Sequence, residues 1–455
     1  MSSPDSPGTP SHHAGAGRAG FSSSLGVLAA TLGSAVGLGN IWKFPSLTGA
    51  NGGAGFLLVY LLSTLLIGRQ ARANPISALR QLAPRGAPWW LVGLGGMAAA
   101  FLILSFYSEV VAWVFAYVAK ALAGSLLSAD PAQTQASFDA LVTDPVQSLL
   151  WQWVVLAFIG SILLLGVTKG IEAVTKKLMP LLFLLLLLLC GYSLTLPGAG
   201  LALSFLFAPE WHKITPAVVL TAMGLAFFKL SIGMGTMMTY GSYFTPGQNI
   251  PATATRVMLA DLSVSLLAGM AIFPAVFSFG FAPSAGPSLV FITIPAVFAQ
   301  IPGGQVLLAA FFILTAIAAT GAMLSIMEVP VVILHERWGL ARPRATLLTL
   351  LILMLLGTGC ALSQSLLAHI RPGGRTLFDW ADYLSSNLLM PMGGIAIALF
   401  VGWAWGEQAF AAQLSNQGQL HNRALARALC LLLRWVTPVL IGLVMLAGLG
   451  VFGSA

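Results

Sequence analysis

Long apolar segments alternate with short polar breaks along the chain from residue 22 onward. A helix that crosses a membrane needs about 20 mostly apolar residues, so the pattern predicts eleven spans. They lie at residues 22–50, 54–68, 91–122, 148–168, 172–195, 214–241, 255–280, 304–334, 346–369, 378–405 and 426–452. Only helices and closed barrels satisfy their backbone hydrogen bonds in lipid, and these segments are too long and too uniformly apolar for barrel strands. We therefore predict an all-α polytopic membrane protein.

Composition supports this prediction and excludes several other classes of protein. The 455 residues are 58% hydrophobic and 7% charged, with a mean hydropathy of +0.90, whereas soluble domains have about 25% charged residues. Collagen, disordered chains and cytosolic enzymes do not fit these values. The three cysteines, Cys190, Cys360 and Cys430, lie far apart in apolar segments. They therefore form neither a metal motif nor a disulfide framework.

The net charge of +8 reflects orientation in the membrane and not nucleic-acid binding. Fifteen basic residues fall on the side of the N-terminus and four fall on the other side, namely Lys120, Lys213, Arg371 and Arg375. Because cytoplasmic loops are enriched in Lys and Arg, we predict a cytoplasmic N-terminus and a periplasmic C-terminus in a bacterial inner membrane.

Polar segments divide the chain into parts. Residues 1–20 form a cytoplasmic tail, 21–200 hold spans 1 to 5, 201–407 hold spans 6 to 10, and 408–455 hold a cytoplasmic loop and span 11. Residues 123–147 are expected to form a polar outer loop. The apolar stretch 286–303, divided by Pro295, is expected to be a re-entrant or capping hairpin on the outer side.

Glycines and polar residues interrupt two spans at corresponding positions. Span 1 contains Gly33, Gly37, Gly39 and Asn40, and span 6 contains the segment 227–235 with two glycines. Such interruptions in the first helix of each five-helix half are typical of inverted-repeat transporters, whose broken helices expose backbone groups to a ligand at mid-membrane. The alternative is that the glycines only allow helices to pack closely.

Charged residues inside the spans indicate further chemistry. A central Lys costs about 3 kcal/mol on insertion scales, so Lys229 in span 6 needs a counter-ion, and Asp261 in span 7 is the candidate. The alternative is that burial leaves Lys229 uncharged. Glu109 and Glu328 also lie in apolar surroundings; we interpret both as structural hydrogen-bonding carboxylates, with a proton relay as the alternative.

The sequence resembles the neurotransmitter:sodium symporter family over about residues 18–410. The resemblance rests on LGSAVGLGNIWKFP at 32–45, NGG at 51–53, KGIE at 169–172, Phe227-Phe228, Leu230-Ser231, GMG at 233–235, Thr239-Tyr240 and ITIP at 292–295. It implies the LeuT-type fold, a 5+5 inverted repeat with broken helices 1 and 6. Eleven spans are similar to many bacterial members.

The resemblance also implies a substrate site. It comprises Ala35, Val36, Gly37, Leu38, Gly39, Ile103, Tyr107, Phe228, Ser231 and Met234. Tyr107 resembles the tyrosine that binds the substrate carboxylate. Gly37 stands where monoamine transporters have Asp, which favours an amino acid over a biogenic amine. Phe228 and Met234 would line a pocket for an apolar or aromatic side chain.

The sodium sites depart from the family pattern. One site in the family uses the backbone of Ala35, the side chain of Asn40, a hydroxyl at position 229 and an Asn at position 261, where this chain has Lys229 and Asp261. The other uses carbonyls of Gly33 and Val36 with two hydroxyls of span 8, where this chain has Gly321 and Ala322, close to Ala318. The Lys229 ammonium could replace one sodium, and Asp261 could replace the chloride that some animal relatives need.

Two charged pairs resemble the gates of the family. Lys43 and Asp382 correspond to the outer pair, and Arg18 and Glu336 to the inner pair, with Phe21 nearby. The alternative is ordinary surface charge.

We therefore expect a secondary active transporter that imports neutral amino acids by alternating access. Its coupling ion is Na⁺ by resemblance, with proton-coupled or ion-independent transport as alternatives, and no cofactor, catalytic residue or other metal is expected. Span 2 has an apolar run of only 15 residues, 54–68, which leaves a transport-inactive sensor or scaffold as the other hypothesis. The expected partners are an amino-acid substrate and membrane lipid, without nucleic acid.

Overall fold

The computed structural model describes residues 20–42, 53–208, 215, 220, 223, 224, 229, 231, 233–245, 247–281 and 286–451. Within these residues the chain is helical and contains no β-strand. Eight helices are long and apolar enough to cross a membrane: Trp90–Leu122, Pro145–Leu164, Val167–Ser193, Ile250–Ser278, Gly304–Arg337, Arg342–Gln364, Leu377–Trp405 and Arg423–Gly448. They correspond to predicted spans 3, 4, 5, 7, 8, 9, 10 and 11.

Span 1 is broken where the glycines predict a break. It consists of the helices Ser24–Ala35 and Leu38–Trp42, separated by Val36 in an extended conformation (φ −83°, ψ 114°). Ser23 caps the start of the first helix. Its hydroxyl accepts the Gly26 amide N–H at 3.0 Å, which gives a partner to an N–H that the helix itself leaves unpaired.

Span 6 is also interrupted. Ser231, Gly233 and Gly235 have φ values of 52°, 85° and 81°, a left-handed conformation that cannot continue an α-helix. The chain becomes helical again at Thr236–Gly241. Most of residues 209–232 lie outside the described part of the chain, so the description of span 6 begins essentially at its break.

Span 2 is longer than its apolar run predicts. The helix is Gly53–Ala71, 19 residues, or about 28 Å at 1.5 Å per residue, and not the 15 residues of 54–68. Arg69 extends the helix past the apolar run because its guanidinium is buried in protein, with 7% of the residue exposed. The helix therefore extends beyond the apolar run at both ends, by Gly53 and by residues 69–71.

Several segments expected to be loops contain helices. The outer loop contains Pro131–Thr143, the segment between spans 10 and 11 contains Glu407–Leu414, and two further helices, Pro75–Leu82 and Ala199–Phe207, lie between spans. Local residues start three of these helices. Pro131–Thr143 and Pro75–Leu82 have a proline in the first turn, and Glu407–Leu414 follows Gly406.

The apolar stretch 286–303 is not a hairpin. It forms one short helix, Leu289–Phe298, in which a π-helical turn precedes Pro295. Proline is tolerated there because the first turn of an α-helix needs no N–H donor. Phe291 stacks on Phe138 of the outer-loop helix with ring centroids 5.0 Å apart and packs edge-on against Tyr117 of span 3.

Spans 3 and 8 form the buried centre of the bundle, with 78% and 67% of their most apolar segments buried. Two carboxylates inside this centre are hydrogen-bonded. Glu109 accepts the Trp113 indole N–H at 2.8 Å. Glu328, fully buried, receives two bonds from Arg342 at 2.9 and 2.6 Å and one from the Tyr243 hydroxyl at 2.5 Å. Both contacts agree with a structural role.

The start of span 1 is held against span 5 by a third carboxylate. Glu172 accepts the Ser22 amide and hydroxyl, both at 2.7 Å, the Ser23 hydroxyl at 3.1 Å, and pairs with Lys176 at 2.6 Å. These contacts fix where span 1 enters the bundle and thereby position the break at Val36.

Arg69 joins the end of span 2 to two distant segments. Its guanidinium donates to the side chain and carbonyl of Gln413 at 2.9 and 2.6 Å, to the side chain of Asn416 at 3.1 Å, and to the carbonyl of Gln248 at 3.1 Å. All these acceptors are neutral, so the guanidinium acts through hydrogen-bond geometry and not through charge pairing.

We expect Arg69→Gln to destabilise the protein by about 2 kcal/mol, because buried acceptors lose a charged donor. The melting temperature of the purified protein in detergent measures this effect. Arg72→Gln is the matched control, since Arg72 is an exposed arginine three residues further on. Equal melting temperatures for the two variants would contradict a structural role for Arg69.

Candidate functional site

A cavity lies where the breaks in spans 1 and 6 face spans 3 and 8. It contains about 380 Å³ of space not occupied by atoms, part of which is open to solvent. The described residues that line it are Ser34, Ala35, Gly37, Leu38, Gly39, Asn40, Ile103, Tyr107, Lys229, Ser231, Met234, Ala322 and Ile326.

Most of the predicted substrate residues come together in this cavity. Ala35, Gly37, Leu38, Gly39, Ile103, Tyr107, Ser231 and Met234 all line it. Val36 is fully buried but does not line the cavity. Phe228 lies outside the described residues.

Two lining residues were missed by the sequence analysis. Ile326 follows Ala322 by four residues and therefore lies on the same face of span 8; this spacing was the available signal. Ser34 is buried, and its hydroxyl has no hydrogen-bond partner within the described structure. A lone serine in a glycine-rich segment gives no such signal in the sequence.

The wall of the cavity at the span 1 break is backbone. A Cβ atom at Gly37 would lie 3.3 Å from the Cβ of Ala322 and 3.6 Å from the Tyr107 hydroxyl oxygen. Tyr107 and Leu38 both line the cavity. The tyrosine and the chain break therefore form one polar corner of the cavity, whereas Ile103, Met234 and Ile326 form an apolar part of its wall.

The predicted ion pair between Lys229 and Asp261 is present. Their charged atoms, Nζ and Oδ2, are 2.8 Å apart, and the side chains are 7% and 11% exposed. Lys229 also donates to the Ser265 hydroxyl at 2.6 Å. Lys229 lines the cavity and Asp261 does not, so the ammonium stands between the cavity and the carboxylate.

Asn40 completes this cluster. Its amide nitrogen donates to Asp261 Oδ1 at 2.7 Å and to the Ser265 hydroxyl at 3.0 Å, and its amide oxygen accepts the Gly37 N–H at 3.2 Å. Asn40, Lys229, Asp261 and Ser265 thus link the span 1 break to spans 6 and 7. The amide oxygen that the resemblance assigns to a sodium is bonded to the backbone at the break.

The second predicted ion position is tightly packed. A Cβ at Gly321 would lie 2.7 Å from the Gly33 carbonyl oxygen, closer than real Cβ contacts. Ala318 and Ala322 are buried beside it and carry no oxygen in their side chains. Hard cations such as Ca²⁺ and Mg²⁺ take oxygen ligands. The side chains at these three positions supply none.

The gate residues are placed only in part. Glu336 accepts the Asn74 amide N–H and side chain at 2.8 and 3.0 Å, and Asp382 accepts the Ser386 hydroxyl at 2.8 Å. Their expected partners, Arg18 and Lys43, lie outside the described residues. Phe21 packs edge-on against Tyr240 and Tyr243 with centroids 5.6 and 5.7 Å apart, beside the Glu328–Arg342 pair.

Comparisons with known proteins agree with this geometry. A family model described as the sodium:neurotransmitter symporter family matches residues 18–140 and 142–454. The uncharacterized sodium-dependent transporter YhdH of Bacillus subtilis is 40% identical over 95% of this chain and 98% of its own length. An uncharacterized sodium-dependent transporter of Haemophilus influenzae is 32% identical over 86% of this chain and 90% of its own length.

A solved structure has the same fold. MhsT in complex with L-phenylalanine is 40% identical and superposes with a TM-score of 0.84, covering 95% of this chain and 100% of that chain. The architecture is therefore the LeuT-type fold, and the homologous proteins are transporters and not enzymes. The chain belongs to the sodium:neurotransmitter symporter family, as an integral membrane protein.

Proposed function

We propose that this protein imports a neutral apolar or aromatic amino acid across the bacterial inner membrane by alternating access, with its N-terminus in the cytoplasm. The observation that carries the proposal is the cavity at the two helix breaks. Broken helices present unpaired backbone groups to a substrate at mid-membrane, and this cavity places them opposite one tyrosine hydroxyl and one ammonium.

The polar corner suits the carboxylate of an amino acid. Gly37 leaves open the space that a side chain would fill, 3.6 Å from the Tyr107 hydroxyl. A substrate that brings its own carboxylate can use this space, whereas an amine without one leaves it empty. The solved relative that holds L-phenylalanine supports an amino acid as the substrate.

The rest of the cavity suits an apolar side chain. Ile103, Met234 and Ile326 line it, and no described acidic residue does. A basic substrate side chain would find no acidic partner there, and burying it unpaired is costly. The ammonium that lines the cavity, Lys229, is already paired with Asp261. This lining supports a neutral substrate.

In this proposal the Lys229 ammonium replaces one coupling ion. By resemblance, the family places a sodium where the ammonium stands. Here a positive charge remains at the cavity wall, fixed by Asp261 at 2.8 Å and Ser265 at 2.6 Å. Asp261 occupies the position where, by resemblance, the family has a neutral asparagine, and its negative charge would replace the chloride of some relatives. The Lys229–Asp261 pair would then carry the same charges as a bound sodium and chloride.

The sodium-dependent relatives support sodium coupling over proton coupling. The sodium would then bind only at the second ion position, beside Gly321. Its ligands would be the carbonyls of Gly33 and Val36 and the backbone near Ala318. We therefore propose that at most one sodium accompanies each substrate.

The sensor or scaffold hypothesis rested on the short apolar run of span 2 and on the altered ion positions. The helix of span 2 has 19 residues, about 28 Å at 1.5 Å per residue against a hydrocarbon core of about 30 Å, and Arg69 anchors its end. We therefore favour the transporter. In the transport cycle, spans 1, 2, 6 and 7 would move against spans 3, 4, 8 and 9.

Removing the hydroxyl of Tyr107 tests the substrate site. Tyr107→Phe is expected to weaken amino-acid binding about 10- to 100-fold, because a hydrogen bond to a charged group contributes about 1.5–3 kcal/mol. Scintillation proximity with labelled L-phenylalanine and L-leucine measures the affinity. Tyr117→Phe is the control, since this buried hydroxyl ten residues along span 3 has no partner within the described structure. Unchanged binding by Tyr107→Phe would exclude the proposed contact.

Converting the ion pair tests the role of Lys229. The double variant Lys229→Thr/Asp261→Asn restores the oxygen ligands that the resemblance assigns to a sodium site and leaves no unpaired charge. Its substrate binding should gain a dependence on sodium that the wild type lacks at this position, measured by titrating sodium at constant ionic strength.

The apolar double variant Lys229→Met/Asp261→Leu is the matched control. It should fold, because well-packed apolar residues replace buried ion pairs with little loss of stability. It should bind substrate weakly with or without sodium. If the Thr/Asn variant keeps the sodium response of the wild type, Lys229 does not replace an ion.

A further inference from the structure

A second, larger cavity lies outside the substrate site. It is formed by the segment between spans 2 and 3 and the last turn of span 8, and it contains about 1080 Å³ of space not occupied by atoms, part of which is open to solvent. Three arginines line it, Arg80, Arg85 and Arg337, together with Trp90 at the start of span 3. No function assigned above uses this cavity.

The cavity is strongly positive. The sequence contains no acidic residue between Asp5 and Glu109, and none of the described lining residues is acidic. Within the described chain none of the three arginines forms a salt bridge, and the Arg337 guanidinium lies 6.0 Å from the centroid of the Trp90 ring. The nearby Glu336 carboxylate is bonded to Asn74 and does not line the cavity.

The cavity also lies at an end of the membrane spans. Trp89 and Trp90 begin span 3, and paired tryptophans are typical of the membrane–water interface. The helix Pro75–Leu82 buries Pro75, Ile76, Ala78 and Leu79 and exposes Arg80. An amphipathic helix of this kind lies along the interface and directs its basic side toward the headgroups.

We propose that this cavity binds the headgroup of an anionic phospholipid. Guanidinium groups match phosphate oxygens in planar, two-bond geometry, and basic pockets beside spans on the cytoplasmic side are suited to anionic headgroups. Free phosphate shares this chemistry, but it is much smaller than the cavity and has no apolar part for Trp90 to contact. The lipid is therefore the ligand we infer.

Such a lipid would join two parts of the protein. Arg80 and Arg85 belong to the segment between spans 2 and 3, whereas Arg337 ends span 8. The bonds between Asn74 and Glu336 already join these parts. A headgroup held by all three arginines would strengthen this junction.

Lipid binding to the purified full-length protein tests the proposal by native mass spectrometry. Dioleoylphosphatidylglycerol, dioleoylphosphatidylcholine and inorganic phosphate are titrated separately. We expect preferential binding of phosphatidylglycerol, and an affinity about a hundredfold lower in Arg80→Gln/Arg85→Gln/Arg337→Gln, since each basic residue near anionic lipid contributes roughly a factor of five. Millimolar inorganic phosphate should not displace the lipid.

The control removes the same charge elsewhere. Arg256→Gln/Arg344→Gln/Arg423→Gln changes three exposed arginines outside the cavity and should keep the wild-type lipid affinity. A triple arginine-to-lysine variant at positions 80, 85 and 337 provides a second measure if the glutamine variant does not fold, with an intermediate loss expected. Equal affinities in the cavity and control variants, equal binding of phosphatidylcholine, or displacement by inorganic phosphate would overturn the proposal.

Discussion

The ion pair between Lys229 and Asp261 is the constraint on which the substrate site depends. An ammonium within a membrane protein needs a partner, and here the Asp261 carboxylate and the Ser265 hydroxyl contact it, while the Asn40 side chain donates to both of these groups. Asn40 in turn bonds to the Gly37 amide at the break of span 1. The charge cluster and the backbone conformation that forms the cavity wall are therefore linked.

By resemblance, the family supplies the positive charge of this site with a bound sodium. Here a side chain of the protein, Lys229, supplies it. A bound sodium leaves with the substrate, whereas the ammonium of Lys229 stays. In the proposed function the site therefore keeps its positive charge throughout a transport cycle, and differences in contact between the two orientations of the cavity would drive release. In the proposed function the second position, beside the Gly33 carbonyl, is the remaining place for a coupling ion, and Gly321 packs closely against that carbonyl.

The sequence predicted features that depend on local chemistry. Glycines at 33–39 and 233–235 predicted both helix breaks because glycine weakens a helix and, at Gly233 and Gly235, adopts a left-handed conformation. Lys229 required a counter-ion, for which Asp261 in span 7 was the candidate. Features that depend on distant partners were not predictable. Span 2 extends through Arg69 because Gln413 and Asn416 accept its protons, and Glu328 is neutralised by Arg342 across a turn between spans. Ser34 lines the cavity through helix packing alone, whereas the spacing of Ile326 from Ala322 was a signal in the sequence.

Equilibrium binding of labelled L-phenylalanine by the wild-type protein, as a function of sodium at constant ionic strength, tests the central claim most directly. A Hill coefficient cannot exceed the number of coupled sites. With Lys229 in place of one ion, the sodium dependence should have a Hill coefficient of no more than about one. A coefficient clearly above one, approaching two, would show that two sodium ions bind and that the ammonium replaces neither.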